Sequence, residues 1–105
     1  MIMAVMNKYP YEQRAKTYQE AINTFGPENQ EEVAVEEMAE LTKEICKNWR
    51  GKDNRAAIAE EIADVTIMLE QLRIIFDVNN AVCDYMDAKI ERLHMRIQEH
   101  LYRAQ

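Results

Sequence analysis

Four acidic residues in this 105-residue chain have the types and spacing expected of ligands for a divalent cation. They form two pairs, Glu37 with Glu40 and Glu61 with Asp64, and the members of each pair are three positions apart. Residues three apart on an α-helix lie on one face, so each pair would present two carboxylates together. Hard cations such as Mg²⁺ and Mn²⁺ prefer oxygen ligands, and no His or Cys lies at ligand spacing among these acids.

The helical period places one acid of each pair inside an apolar stripe. At about 100° per residue, Glu37 lies midway between Val33 and Leu41, and Glu61 has the equivalent position on the later segment. The second acid of each pair lies about 60° away, at the edge of the stripe. Because a buried charge without a partner costs several kcal/mol, such acids either keep their protons or bind a cation.

Two other interpretations of the acids are open at this point. A single inward-facing Glu is often hydrogen-bonded or solvated, but two pairs in the same register on adjacent helices favour a metal site. A di-iron carboxylate bundle is disfavoured because it uses Glu-x-x-His pairs, whereas both second positions here are acids.

Helix breakers divide the chain into four predicted helices. Gly and Pro occur only twice each, and Gly26, Pro27 and Gly51 fall between amphipathic segments. Either Asp53 or Asn54 is expected to be the N-cap of the third helix. The predicted helices run from Tyr11 to about Phe25, from about Pro27 to Asn48, from about Arg55 to Phe76, and over most of 81–103.

These elements predict an all-α fold, an antiparallel bundle of about four helices. Residues 1–105 are expected to form a single domain, with 1–10 as a loosely packed N-terminal segment. The short connection between the second and third helices makes them antiparallel neighbours. Their apolar arcs are wide for so short a chain, so we expect oligomerisation to complete the core.

Charge and composition exclude several classes of function. The net charge is −6, and residues 28–70 hold 12 acids and 5 bases, a local balance of −7. This argues against binding to nucleic acid or to an anionic membrane. Cys46 and Cys83 form no disulfide framework and are expected to be buried free thiols, and no segment has the pattern of a signal peptide or a membrane span. We therefore expect a soluble, cytoplasmic protein.

The acidic motifs resemble those of the MazG-like family of all-α nucleoside triphosphate pyrophosphohydrolases. The sequence EEMAE at 36–40 matches the family's EExxE motif, and EIAD at 61–64 matches the ExxD motif that follows it. The similarity extends over about residues 20 to 97. It implies Mg²⁺-dependent hydrolysis of a nucleoside or deoxynucleoside triphosphate between its α- and β-phosphates, giving the monophosphate and pyrophosphate.

The resemblance also implies site residues and an assembly. The family's metal ligands match Glu37, Glu40, Glu61 and Asp64 here. Glu36 matches the first motif Glu, which either binds a metal-bound water or simply supports the site. These five are the candidate catalytic residues. Family members are at least dimers with a pocket lined by more than one chain, so we expect a homodimer or a dimer of dimers.

Candidate substrate-binding residues lie outside the acidic motifs. On the fourth helix, Lys89 and Arg96 lie at the edge of the apolar stripe, where they can bind phosphates or instead snorkel and pair with acids. Many relatives carry Lys, then Asn, then Arg there, but the Asn position is Leu93 in this chain. Trp49 is a candidate to stack on the base, although packing is the commoner role.

The alternative function is a non-catalytic helical interaction protein that retains the bundle and a divalent-metal site.

Overall fold

The computed structural model describes residues 8–105, which form four α-helices and no strands in that range. The all-α fold class is confirmed, and each helix boundary lies within about two residues of its predicted position. Residues 1–7 of the predicted loose segment lie outside the described residues. Within 8–105, no helix has both the length and the apolar character needed to cross a membrane. The helices are α1 Tyr11–Phe25, α2 Pro27–Trp49, α3 Arg55–Ile75 and α4 Asn79–Arg103.

Left-handed residues separate the helices. Gly26, the one residue between α1 and α2, has φ 91°, and its N–H donates to the carbonyl of Ile22 at 2.9 Å. Gly51, in the turn after α2, has φ 97°, a conformation that costs glycine little because it has no Cβ. The turn from α3 to α4 instead places Asp77 at φ 53°. These turns fix the direction in which each following helix leaves.

The packing of α2 against α3 forms the main body of the fold, an antiparallel hairpin. Two buried polar pairs, which we call the register pairs, join its two ends. At one end, Gln30 Nε2 donates to Gln71 Oε1 at 2.7 Å. At the other end, Asn54 Nδ2 donates to the Glu44 carbonyl oxygen at 2.9 Å and to Glu44 Oε1 at 3.2 Å. Buried amides need such partners, so both pairs form together in only one alignment of the helices.

Asn54 shows how the N-cap prediction was only half right. It does occupy the N-cap position of α3, but its side chain makes no capping hydrogen bond there. The side chain instead bonds Glu44 on α2, and thereby joins the two helices of the hairpin.

α1 is joined to α3 by a charged hydrogen-bond cluster. Arg14 binds Glu70 through two bonds, Nε to Oε1 at 3.1 Å and Nη2 to Oε2 at 2.9 Å, and the Tyr18 hydroxyl also donates to Glu70. The bonds from Arg14 hold the pKa of Glu70 below its usual range. Burial, followed by the bond to Glu70, raises the pKa of Tyr18 to about 12. The ionised carboxylate is therefore part of what fixes α1.

α4 leaves the body of the fold. Its first two turns pack against the end of α3, where Val82 and Met86 face Leu69, Leu72 and Phe76 across a cleft. Within residues 8–105, α4 contacts no other helix, and none of its residues is buried. Cys83 is accordingly exposed, which corrects the prediction of two buried thiols, while Cys46 is half-buried.

The single chain is more open than its size requires. Its radius of gyration is 17.3 Å, whereas a compact domain of about 100 residues has about 13 Å. The buried apolar side chains among the described residues are only four, which are Tyr18, Ile22, Ala34 and Met68. One chain alone thus covers only part of its apolar surface.

The substitution Glu70→Gln should destabilise the protein by about 1 to 2 kcal/mol at neutral pH, because the amide cannot replace the charge that Arg14 binds. Since the pKa of Glu70 is lowered, this contribution is present above the ordinary carboxyl pKa and is lost as the pH falls through the lowered value. Urea titrations should therefore show a smaller difference between wild type and variant at about pH 3 than at about pH 7.

The matched control for this substitution is Glu20→Gln, at an exposed position of α1. It should change the free energy of unfolding by less than about 0.5 kcal/mol. Equal effects of the two substitutions would contradict the role given to Glu70.

Candidate metal centre

Three of the four predicted ligands meet between α2 and α3. Glu37, Glu61 and Asp64 each offer one carboxylate oxygen, and these oxygens lie within 4.8 Å of one another. All three residues are half-buried. We call these three residues the acidic cluster. The helical projection that placed Glu37 and Glu61 inside their stripes therefore agrees with where the structure puts them.

The register pairs explain why these three acids meet. Glu37 is seven residues from each of the two α2 residues that belong to the register pairs. On α3, the midpoint between the two partner residues falls between Glu61 and Asp64. In an antiparallel pair the midpoints of two joined segments lie opposite each other. The hydrogen bonds at the two ends of the hairpin thus set the positions of the acids in its middle.

The electrostatics of the acidic cluster are unfavourable without a cation. Burial raises the pKa of Glu37, and the negative charges of Asp64 and Glu61 raise it further. Burial likewise raises the pKa of Glu61, with the charge of Asp64 as the next cause. Glu61 Oε2 is buried and has no hydrogen-bond partner among the described residues. Such an oxygen loses its hydrogen bonds to water on folding and gains none from the protein, which is unfavourable.

Glu44 provides an internal comparison, because it is also an acid that points into the hairpin. Its carboxylate accepts a hydrogen bond from Asn54 and pairs with Lys47 Nζ at 3.2 Å. These partners lower the pKa of Glu44, the reverse of the shift at Glu61. The chain itself can therefore supply hydrogen-bond partners to an inward acid, but among residues 8–105 it supplies none to Glu61 Oε2.

The acidic cluster fits a hard divalent cation. All three donor atoms are carboxylate oxygens, the ligand type that suits Mg²⁺ and Mn²⁺. A cation would give the buried oxygen of Glu61 a partner, and it would replace mutual repulsion by attraction to a common charge. These three residues could therefore hold such an ion, and Mg²⁺ as the cofactor stays a prediction.

The two remaining motif acids lie near the cluster but not in it. Glu40 is one turn beyond Glu37 and is exposed, although its charge helps to raise the pKa of Glu61. Glu36 is exposed on the same helix. A ligand role for Glu40 and a supporting role for Glu36 stay predictions.

None of the predicted substrate-binding residues lies beside the acidic cluster along its own helix. Two are on α4, and the third is at the end of α2. Lys89 and Arg96 are exposed on the part of α4 that follows its contact with α3. Arg96 lines a shallow groove with apolar side chains of α4. Trp49 is the last residue of α2 and is 79% exposed. The contacts within one chain do not bring these three side chains to the acidic cluster, and their roles stay predictions.

Sequence reasoning missed the residues that position the cluster. Gln30 lies two helical turns before Glu37 and therefore shares its direction, inside the apolar stripe. A buried amide in that position signals a partner on the facing helix, here Gln71. A polar residue among apolar neighbours therefore marks Gln30 in the sequence, as it marks Glu37 and Glu61.

Comparison with protein-family models finds no match to this chain, and searches of curated proteins and of solved structures find none either.

The substitution Glu61→Gln should stabilise the protein at neutral pH when divalent cations are removed with EDTA. The amide removes a charge whose presence among like charges is unfavourable, and its nitrogen can donate to a neighbouring carboxylate. The midpoint of thermal unfolding, followed by circular dichroism, should rise by a few degrees. The control Glu32→Gln, at an exposed position of α2, should leave it unchanged. A less stable Glu61→Gln protein would show that the cluster is not under strain.

Proposed function

We propose that the protein is a Mg²⁺-dependent pyrophosphohydrolase that converts a nucleoside or deoxynucleoside triphosphate to its monophosphate and pyrophosphate. The proposal is supported above all by the acidic cluster, in which Glu61 Oε2 is buried and has no hydrogen-bond partner in the part of the chain that the structure describes. A second support is the match of the same residues to the EExxE and ExxD motifs of the MazG-like family. The geometry supports the metal site, and the motifs support the reaction.

Each acid has a distinct place in the proposed site. Glu37, Glu61 and Asp64 hold the cation between the helices, and Glu61 is the principal ligand because its buried Oε2 has no hydrogen-bond partner among the described residues. Glu40 is proposed as the outer ligand, since it is close enough for its charge to act on Glu61. Glu36, exposed one residue before Glu37, is proposed to orient water at the rim of the site.

Charge explains why such a site requires its cation before it binds a substrate. A nucleoside triphosphate carries about four negative charges, and the carboxylates alone would repel it. When bound, Mg²⁺ supplies positive charge that offsets the phosphates and the leaving pyrophosphate. Lys89 and Arg96 are proposed to bind phosphate oxygens from the protein side. Transfer at phosphorus depends mainly on such positioning and charge.

A second candidate function is a non-catalytic interaction protein that keeps the metal site for structure. The apolar side chains exposed along α4 favour it, because surfaces of that kind usually contact another protein. Both functions require cation binding, and only the enzyme releases pyrophosphate.

Addition of Mg²⁺ should raise the thermal unfolding midpoint of the wild-type protein, since a ligand that binds only the folded state stabilises it. With Mg²⁺ present, a panel of the canonical and several damaged (d)NTPs should include at least one that yields pyrophosphate and monophosphate. Glu61→Gln should lose the stabilisation by Mg²⁺ and lose at least about 100-fold in turnover, since even residues that only support metal ligands cost 10- to 100-fold.

Glu32→Gln again serves as the matched control and should behave as wild type in both assays. Release of single phosphates would contradict the proposed bond cleavage. Stabilisation by Mg²⁺ without turnover of any (d)NTP would favour the interaction protein instead.

Intrinsic fluorescence offers a direct test of Trp49, because it is the one tryptophan of the chain. If its indole stacks on the base, a nucleotide added with Ca²⁺ in place of Mg²⁺ should quench the emission in a saturable manner. The same nucleotide should bind Trp49→Phe with slightly lower affinity. Saturable binding, measured by calorimetry, with no change in emission would exclude contact between Trp49 and the nucleotide.

A further inference from the structure

The turn between α2 and α3 carries a basic surface on an otherwise acidic chain. Residues 47–55, which we call the hairpin tip, hold four bases and one acid, a charge of +3. The rest of the chain holds nine bases and 18 acids, a charge of −9. The net charge, from which we expected no binding to nucleic acid, therefore does not describe this surface. The bases of the hairpin tip are Lys47, Arg50, Lys52 and Arg55, and its acid is Asp53.

Most of the bases in the hairpin tip have no acidic partner. Within residues 8–105, Lys47 is the one base of the tip in an ion pair, with Glu44 Oε2 at 3.2 Å. Arg50, Lys52 and Arg55 form no ion pair in that range, and all three are exposed. Three positive charges are therefore available to an anionic ligand.

Stabilisation of the helix ends does not account for these charges. Bases near the end of a helix can satisfy its last carbonyl groups, but here the backbone does so. The Gly51 N–H donates to the Asn48 carbonyl oxygen at 2.9 Å. The Lys52 N–H donates to the Lys47 carbonyl oxygen at 3.2 Å. Arg55 is the first residue of α3, where the helix dipole disfavours a cation, so the excess of bases favours an external anion.

Trp49 adds a flat aromatic surface to the hairpin tip. It is the last residue of α2 and is 79% exposed, whereas tryptophan is on average among the more buried residues of proteins. Its neighbours at 48 and 50–55 are all polar, charged or glycine, so it belongs to no apolar patch of the tip. A ligand for this surface therefore offers a flat group to the indole and negative charge to the residues around it.

Single-stranded nucleic acid combines these two features. Its bases expose π-faces that stack on aromatic side chains, and its phosphates bind the surrounding Lys and Arg. A membrane surface fits less well, because an interfacial anchor inserts several apolar side chains and the hairpin tip has one. A duplex fits less well because its bases are stacked inside, and removing one from the stack costs energy.

The hairpin tip is held in shape and lies apart from the acidic cluster. Asn48 Nδ2 donates to Asn54 Oδ1 at 3.3 Å, which joins the end of α2 to the start of α3. Trp49 follows Glu37 by 12 residues, about 18 Å along α2. The Debye length at physiological salt is about 8 Å, so charges that far apart in water are largely screened. The acidic cluster therefore does not prevent an anion from binding at the tip.

We propose that the hairpin tip binds single-stranded nucleic acid, with one base stacked on Trp49. The adjacent phosphates are bound by Arg50, Lys52 and Arg55. The contact does not distinguish base sequences, because every base has a π-face and phosphates carry no sequence information. This binding does not rest on the proposed enzymatic activity, and it is tested in EDTA, so that the acidic cluster holds no cation.

The test is the fluorescence anisotropy of a labelled oligo(dT) strand of about 12 nucleotides, in about 50 mM salt with EDTA. Binding should be saturable, with a dissociation constant of about 10⁻⁶ to 10⁻⁴ M. The logarithm of the association constant should fall with the logarithm of the salt concentration with a slope of about −2, as for three phosphates of a single strand. The emission of Trp49 should be quenched in parallel. No saturable binding at about 3 × 10⁻⁴ M protein would overturn the proposal.

Two variants separate stacking from charge. Trp49→Ala should weaken binding at least about fivefold, the low end for loss of a stacked base, and leave the salt slope unchanged. Arg50→Gln should weaken binding and make the slope shallower by about 0.7. Both side chains are exposed, so circular dichroism should remain unchanged.

The matched control is Lys16→Gln, which removes one positive charge from an exposed position of α1. It should match the wild type in both affinity and salt slope. Undiminished binding by Trp49→Ala would overturn the stacking contact. Equal effects of Arg50→Gln and Lys16→Gln would overturn the assignment of the phosphates to the hairpin tip.

Three other anionic ligands test the choice of single-stranded nucleic acid. They are a poly-glutamate peptide, vesicles of phosphatidylcholine and phosphatidylserine, and a DNA duplex of the same length as the single strand. None of them offers an accessible base, so none should quench the emission of Trp49 in a saturable manner. Quenching by any of the three as strong as that by the single strand would overturn the proposal.

Discussion

The two register pairs are the constraint on which the rest of the hairpin depends. Gln30 with Gln71 and Glu44 with Asn54 are buried polar groups that find their partners only when α2 and α3 align in one way. Apolar contacts between helices tolerate sliding and rotation far better than hydrogen bonds between buried amides do. The pairs lie at the two ends of the hairpin. They therefore fix both the axial position and the rotation of α2 relative to α3 along the segment between them.

The acidic cluster is the part of the hairpin in which this fixed alignment does not favour stability. Glu44 and Glu61 both point inward, but Glu44 has Asn54 and Lys47 as partners, whereas Glu61 Oε2 has no hydrogen-bond partner within residues 8–105. A sequence optimised for stability alone would place an apolar residue there. Local departures from the rules of good packing are typical of functional sites, where the surrounding structure holds an unfavourable arrangement in place.

The sequence predicted the helices well because their signals are local. Gly26, Pro27 and Gly51 act on the backbone at their own positions, and the apolar period needs no knowledge of tertiary contacts. The same period was enough to point Glu37 and Glu61 inward. It could not separate Glu40 from the cluster, because an angle around a helix does not determine where the end of a flexible side chain lies.

Helical periodicity and helix-breaking residues could not predict how side chains and helices are placed in the tertiary structure. The side chain of Asn54 could either cap α3 or form a hydrogen bond with α2. It bonds α2 because the two helices approach each other there, and the sequence alone does not show that approach. The direction of α4 follows from the backbone of the turn at Asp77, which no hydrophobic period encodes. The sequence predicted the apolar stripe of α4. It did not predict that α4 leaves the α2–α3 hairpin.

The fixed register also limits how relatives of this chain can vary in length. Adding or deleting one residue between positions 30 and 44, or between 54 and 71, would turn the rest of that helix by about 100°. The register pairs and the acids of the cluster could then no longer all face their partners at once. The turn at 50–53 lies outside both intervals, and its backbone is on the surface. Evolutionary gain or loss of residues should therefore concentrate there and at the far end of α4, while the two intervals keep a constant count.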